Sequence, residues 1–196
     1  TGRPIVYGTR TDLGWFDEII DPGALDNTDL TDVRFLVNHD LSKIPLARSR
    51  NNNINSTMQL QRNENGLDIT ARIDIKNNAD AAALDSAVKR GDISGMGFMF
   101  VVDGEAWEDL ESEHPTRHVT AISRVVEVSA VTFPAYPTTE IYARSNEALE
   151  SARQTLESAR EQRAKETSAA ADTAAAQALE LAKAKFDYIK AGGKTK

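Results

Sequence analysis

Three short stretches hold side chains that together suit attack on a carbonyl. In "RFLVNHDLSKIPLARS", residues 34–49, an apolar run of strand type delivers His39 between Asn38 and Asp40. In "KRGDISGMGFMF", residues 89–100, Ser94 sits between Ile93 and Gly95, with Gly91 and Gly97 close by. Such glycine density permits close backbone approach and can aim amide groups at an oxyanion. In "SRVVEVSAVTFPAYP", residues 123–137, Glu127 interrupts an apolar strand and by alternation shares a face with Val125, Ser129 and Val131. Histidine, serine and a carboxylate are what nucleophilic acyl transfer needs. The imidazole takes the serine proton, and the acid holds its tautomer and stabilises its protonated form. Each residue also has a plain structural explanation: a loop histidine bonded to backbone, a flexible turn before a core strand, and a cross-strand ion pair on a wet face. His114 and His118 offer a rival chemistry, because His-x-x-x-His resembles metal-ligand spacing. Pro115 forbids a regular helix through that pair and no third ligand is evident, so no metal or other cofactor is expected.

The elements that must position these groups are mostly strands. Val33–Val37 reads as one. Thr57–Arg62 and Leu67–Ile75 read as two more, joined by Asn63-Glu64-Asn65-Gly66, whose Asn-Gly suits positive φ in a hairpin turn. Residues 67–74 alternate apolar with polar, so one face is buried and the other wet. Asn78 can cap a helix from Ala79 to Arg90, with Ala83, Leu84, Ala87 and Val88 as its apolar stripe and Gly91 as its stop. Phe98–Val102 is a further strand. Val119–Val131 is long and β-branched, and is ended by Phe133-Pro134-Ala135-Tyr136-Pro137. A mainly-β domain with one clear helix is expected, as a barrel or a strongly curved sheet.

The composition changes near Ser145, which divides the chain into residues 1–145 and a tail, 146–196. The head carries 14 Lys+Arg against 22 Asp+Glu, a net charge of −8, and the tail 9 against 8, or +1. An acidic head argues against nonspecific DNA binding, which needs clustered cations to displace counterions from phosphates, so no nucleic-acid partner is expected. No run of about 18 apolar residues occurs, so no membrane span is expected. Without cysteine there are no disulfides, thiolate sites or thiol nucleophile, which fits a reducing compartment. The first residue is Thr1, not Met, and no basic-then-apolar leader follows it, so a natural start upstream of residue 1 is an expectation.

In the tail, Leu149, Ala152, Leu156 and Ala159 recur at spacings of three and four, as do Leu179, Ala182, Phe186 and Ile189. The two stripes are out of phase, and Ala169–Ala176 between them is almost all alanine. One long helix or two stacked ones, with a thin apolar seam, is expected. Such a seam seldom supports itself and wants a partner helix, so a homo-oligomer through the tail is expected.

In their order along the chain, the three chemical stretches resemble the prohead (capsid maturation) protease family of tailed bacteriophages. "DLGWFDEIIDPGAL" looks like that family's opening motif, "VNHD" its histidine motif, "VKRGDISGMGFMF" its serine motif and "VVEVSAVTFPAYP" its acidic motif. The resemblance covers roughly residues 8–145. The family is related in fold to the herpesvirus assemblins, which implies an α+β, mainly-β fold: an assemblin-like β-barrel with flanking helices, here followed by a helical, scaffold-like tail. The resemblance further implies a serine endopeptidase that cleaves scaffold segments of the phage major capsid protein, or scaffold chains, and often itself. Its place would be inside the immature capsid in the host bacterial cytoplasm. His39 would be the general base and Glu127 the orienting acid. Many members carry serine in "GMSFGF" or a close variant, at the position that is Gly97 here, and some also where Ser94 stands. Two alternatives follow. Either Ser94 is the nucleophile, or a serine at 97 has been replaced and the chain is an inactive, protease-like assembly or scaffolding module.

Overall fold

The computed structural model describes residues 1–134 and 146–190. Eleven elements follow one another: β1 (Gly2–Val6), β2 (Thr11–Asp12), β3 (Asp17–Ile20), β4 (Asp32–Val37), β5 (Ala47–Arg50), β6 (Met58–Asn63), β7 (Gly66–Ala71), α1 (Ala79–Arg90), β8 (Gly95–Glu108), β9 (Thr116–Val131) and α2 (Asn146–Lys190). They fall into two compact units, Thr1–Glu150 and Ser151–Lys196.

The long β9 organises the first unit. Its β-branched residues favour an extended backbone. β8 pairs with it antiparallel from Gly95↔Val131 to Glu108↔Thr116. Along its other edge it takes two short strands in parallel register: β3 beside Thr116–Val119 and β4 beside Glu127–Ala130. β2 and β5 complete this sheet, in the order β2-β3-β9-β4-β5 with β8 on β9. A second sheet has the order β1-β7-β6. Ile5, Ile20, Leu25, Val33, Phe35, Met58, Leu67, Val119, Val125 and Val128 form the core between them. Each such side chain contributes about 1.5–3 kcal/mol through burial.

The expected closed barrel is not what these residues form. The two sheets meet at two seams, and neither seam is a backbone ladder. At β5/β6, side chains do the stitching. Arg48 N donates to Thr57 Oγ1 at 2.9 Å and Arg50 N to Ser56 Oγ at 2.9 Å. Asn52 exchanges two bonds with Leu60, at 2.7 and 2.9 Å. The cause is local. Asn51 and Asn52 both adopt left-handed backbone, which bends the chain out of strand geometry just after β5. At β1/β8 a Cβ on Gly2 would lie 2.2 Å from Met96 Sδ, so the contact there is side chain against backbone. The result is α+β, mainly β, with an open ladder.

Several sequence expectations meet the structure closely. Asn78 caps α1 by accepting from Asp80 N at 2.9 Å and Ala81 N at 3.2 Å. Gly91 closes the helix in the left-handed region, φ 80°. The hairpin turn takes its positive φ at Gly66, φ 136°, as its Asn-Gly pair suggests. Others are corrected. The third expected strand stops at Ala71 rather than Ile75, because Asp74 turns the chain by accepting from Lys76 and Asn77. Gly95 and Gly97 lie inside β8 rather than in a turn.

The tail is one helix of 45 residues. Ala152 and Leu156 are buried. Arg163 and Glu166, where the first stripe would continue, are exposed, as are Leu179 and Leu181. The positions of Ala135–Pro137, and the side chains of Leu149, Ala182, Phe186 and Ile189, lie outside the described residues. No helix among the described residues is long and apolar enough to cross a membrane.

Candidate active site

The site is built where the end of β4 meets β9. Asn38 and His39 both have left-handed backbone, φ 51° and 56°. Asparagine tolerates that region better than most residues, and histidine visits it less often, so the turn needs support. β9 supplies it. Asn38 N donates to Ala130 O at 2.9 Å, and Thr132 N donates to Asn38 Oδ1 at 2.8 Å. His39 N donates to Ser129 Oγ at 3.1 Å. Asp40 closes the turn on the far side by accepting from Ser42 N at 3.0 Å and from its hydroxyl at 2.5 Å. Those two bonds hold the Asp40 carboxyl below the ordinary carboxylate range. The polar residues on either side of His39 are therefore the fasteners of its loop.

His39 Nδ1 lies 2.5 Å from Glu127 Oε1. Glu127 is fully buried, and its second oxygen accepts from Ser129 Oγ at 2.5 Å. A buried carboxylate is tolerated only when its lone pairs are satisfied, and both oxygens here have a donor. The alternation of β9 places Glu127 and Ser129 on one face and Val128 and Ala130 in the core on the other.

Gly97 pairs with Ser129 across the β8/β9 ladder, and so faces the same side. A Cβ built on Gly97 would lie 2.5 Å from His39 Nε2 and 2.8 Å from Cε1. The basic nitrogen of the imidazole thus looks at the bare backbone of residue 97. Ser94, exposed just before β8, lines a groove with Phe35, Met96, Ala130 and Pro134. Among the described residues no hydrogen bond joins Ser94 to His39. The fold therefore brings His39, Glu127 and position 97 together. Ser129 was not singled out from the sequence as a working residue. Its signal was its place two residues beyond Glu127 on the same strand face.

The His114–His118 pair does not converge on a metal. His114 Nε2 is 3.1 Å from Asp17 Oδ1, while His118 Nδ1 is 2.8 Å from Asp21 Oδ1. Asp12, Asp17 and His114 do bring one donor atom each to within 4.8 Å of one another. Arg10 already donates to Asp17 at 2.8 Å, so a cation there would have to displace a guanidinium.

His118 has a consequence for stability. Its hydrogen bond to Asp21, with the charges of Asp21 and Glu108, outweighs the effect of burial and holds the imidazole protonated to higher pH than usual. A raised native value means the contribution is complete below the unfolded value of about 6.5 and is lost as pH rises through the native one. Asp21→Asn should therefore lower the urea midpoint at pH 5.5, by about 0.5–1 kcal/mol in stability. At pH 8.5 the two chains should unfold together. An equal gap at both pH values would mean that His118 is not the cause.

A buried carboxylate bonded to a histidine whose other ring nitrogen faces the backbone of β8 has the arrangement of the acid–base half of a serine-protease site. The comparison with known families agrees. Residues 1–154 match the family described as caudovirus prohead serine protease, and the chain belongs to it. No curated protein and no solved structure matches the chain. The motif that opens the family resemblance is structural here: Phe16 meets Trp107 of β8 in a tilted ring pair with centroids 5.4 Å apart, and Ala24 O accepts from Ile122 N of β9 at 2.8 Å.

Proposed function

We propose that this chain works in the procapsid of a tailed phage, on capsid or scaffold chains, as a family member with its acid and base in place and its attacking hydroxyl missing. His39 is the general base, Glu127 the orienting acid, and position 97 the place of attack. The observation that supports this is the approach of His39 Nε2 to the backbone of Gly97. Glycine has no atom that can attack a carbonyl, so the chain as it stands does not cleave peptides and serves assembly. A second reading, a serine endopeptidase with Ser94 as nucleophile, is favoured by the retained 2.5 Å bond between His39 and a fully buried Glu127. Truncating one partner of a buried pair usually costs several kcal/mol, so the pair also has a structural reason to persist.

Incubation of the purified chain with its own capsid precursor separates the readings. Intact-mass analysis should find both proteins whole. Discrete fragments that vanish in Ser94→Ala would instead establish the endopeptidase.

The tail fits a role in association, because Leu179 and Leu181 are exposed along α2. Sedimentation of the full chain should show concentration-dependent association that is absent when residues 151–196 are removed. A full chain that stays monomeric at its highest soluble concentration would end the idea.

A further inference from the structure

We propose that Ser129 is a positioning residue that sets which nitrogen of His39 carries the proton. The inference rests on His39 and Glu127 being the base and acid of the site. Ser129 is fully buried and has a nucleophilic hydroxyl, yet it sits on the Nδ1 side of the imidazole, bonded to the acid, where no substrate reaches it. Its two bonds close a ring. The His39 amide can only donate, so Ser129 Oγ accepts there, at 3.1 Å. The one hydroxyl hydrogen is then free for Glu127 Oε2, at 2.5 Å. Glu127 Oε1 completes the circuit with His39 Nδ1, also at 2.5 Å.

The Ser129 half of this ring has one direction: the amide has no acceptor function, so the hydroxyl accepts from it and gives its hydrogen to Oε2. A donor on Oε2 favours the ionised carboxylate, whose Oε1 is then an acceptor for Nδ1. Nδ1 then holds the hydrogen, and the lone pair of the ring is left on Nε2, facing position 97. Without the hydroxyl, Oε2 becomes a buried oxygen lacking a donor, which is costly to keep charged. The carboxyl can then take a proton and give a hydrogen bond to Nδ1. That moves the ring hydrogen to Nε2 and disables the base. The same hydroxyl also holds the strained amide of His39, so one atom fixes both the place of the imidazole and its tautomer.

The test is made on the folded, otherwise unmodified chain by ¹⁵N spectra of the His39 ring at neutral pH. The unmodified chain should show the Nδ1–H tautomer. Ser129→Ala should move the population toward Nε2–H by about tenfold in the tautomer ratio, and Ser129→Thr should restore it. A merely structural role would change melting temperature without changing this ratio. A folded Ser129→Ala chain with the ratio of the unmodified chain would overturn the proposal. Should Ser129→Ala fail to fold, Ser129→Cys takes its place, since a thiol fills nearly the same space and is a weak donor. An unchanged ratio in Ser129→Cys overturns the proposal equally. In a Gly97→Ser chain, Ser129→Ala should lower kcat about tenfold and leave KM in place. If Gly97→Ser is itself inert, the assignment of position 97 fails, and the tautomer measurement still decides for or against Ser129.

Discussion

Gly97→Ser should turn a chain that cleaves nothing into one that reacts with a fluorophosphonate probe and cuts its capsid precursor. The expected gain is at least about 10³-fold over the unmodified chain, since removal of one member of a serine triad costs that much or more. The geometry carries the expectation and also sets its difficulty. A Cβ at 97 would lie 2.5 Å from His39 Nε2, closer than a real contact allows, so the imidazole must retreat. It is the far end of a side chain and can do so by rotation, but Glu127 restrains it at 2.5 Å through Nδ1. A productive site needs the new hydroxyl about 2.6–3.2 Å from Nε2. The crowding should lower stability by about 1 kcal/mol, within the ordinary range for an overpacked position. Adding His39→Ala to Gly97→Ser should abolish probe labelling, because the hydroxyl then has no base. A folded Gly97→Ser chain that neither labels nor cuts would remove position 97 from the mechanism.

Gly66→Ala should be the most damaging single methyl in the first unit. Two independent penalties meet there. The backbone has φ 136°, a region that residues with a Cβ rarely enter. The new carbon would also stand 2.0 Å from Ile5 O and 2.8 Å from Ile5 C. Those are main-chain atoms of β1, held by the Ile5↔Leu67 and Val6↔Gly66 pairing and by a fully buried Ile5 side chain. Neither side can yield without parting β1 from β7. A loss of about 3 kcal/mol or more is expected, from backbone strain and overpacking together. For a chain of this size that lowers the melting temperature by about 6–12 °C. Gly8→Ala is the control. Gly8 has φ 67° but nothing within 4 Å of a Cβ, so only the strain of about 1–2 kcal/mol applies. Equal melting temperatures for the two variants would show that the close approach of β1 is not what Gly66 serves.

Local signals along the chain determined most of the local structure and half of the site. Asn78 and Gly91 bracket α1 because caps act within one turn. The alternation around Glu127 put Ser129 on its face because strand period is a property of the backbone itself. The order of His39, the glycine stretch and Glu127 was legible, as was the departure at 97. Tertiary structure decided what those residues do for one another. The parallel pairing of β4 with β9 sets Arg34 beside Glu127, 93 residues later in the chain, and so carries the His39 loop over the acid. No periodicity encodes that register, since both strands would read the same with other neighbours. The glycines of residues 95–97 looked like a turn, because glycine permits one. In the fold they are places where Pro134 and His39 come too near for a side chain. The barrel did not close because the left-handed Asn51 and Asn52 bend the chain at one seam, a local cause, and Met96 packs on Gly2 at the other, a contact between residues distant in sequence. Ser94 lies just outside β8 against the groove lined by Met96 and Pro134, whereas Gly97, inside the strand, faces His39. A pleated strand sends odd and even positions to different solvents, and only packing decides which face receives the histidine.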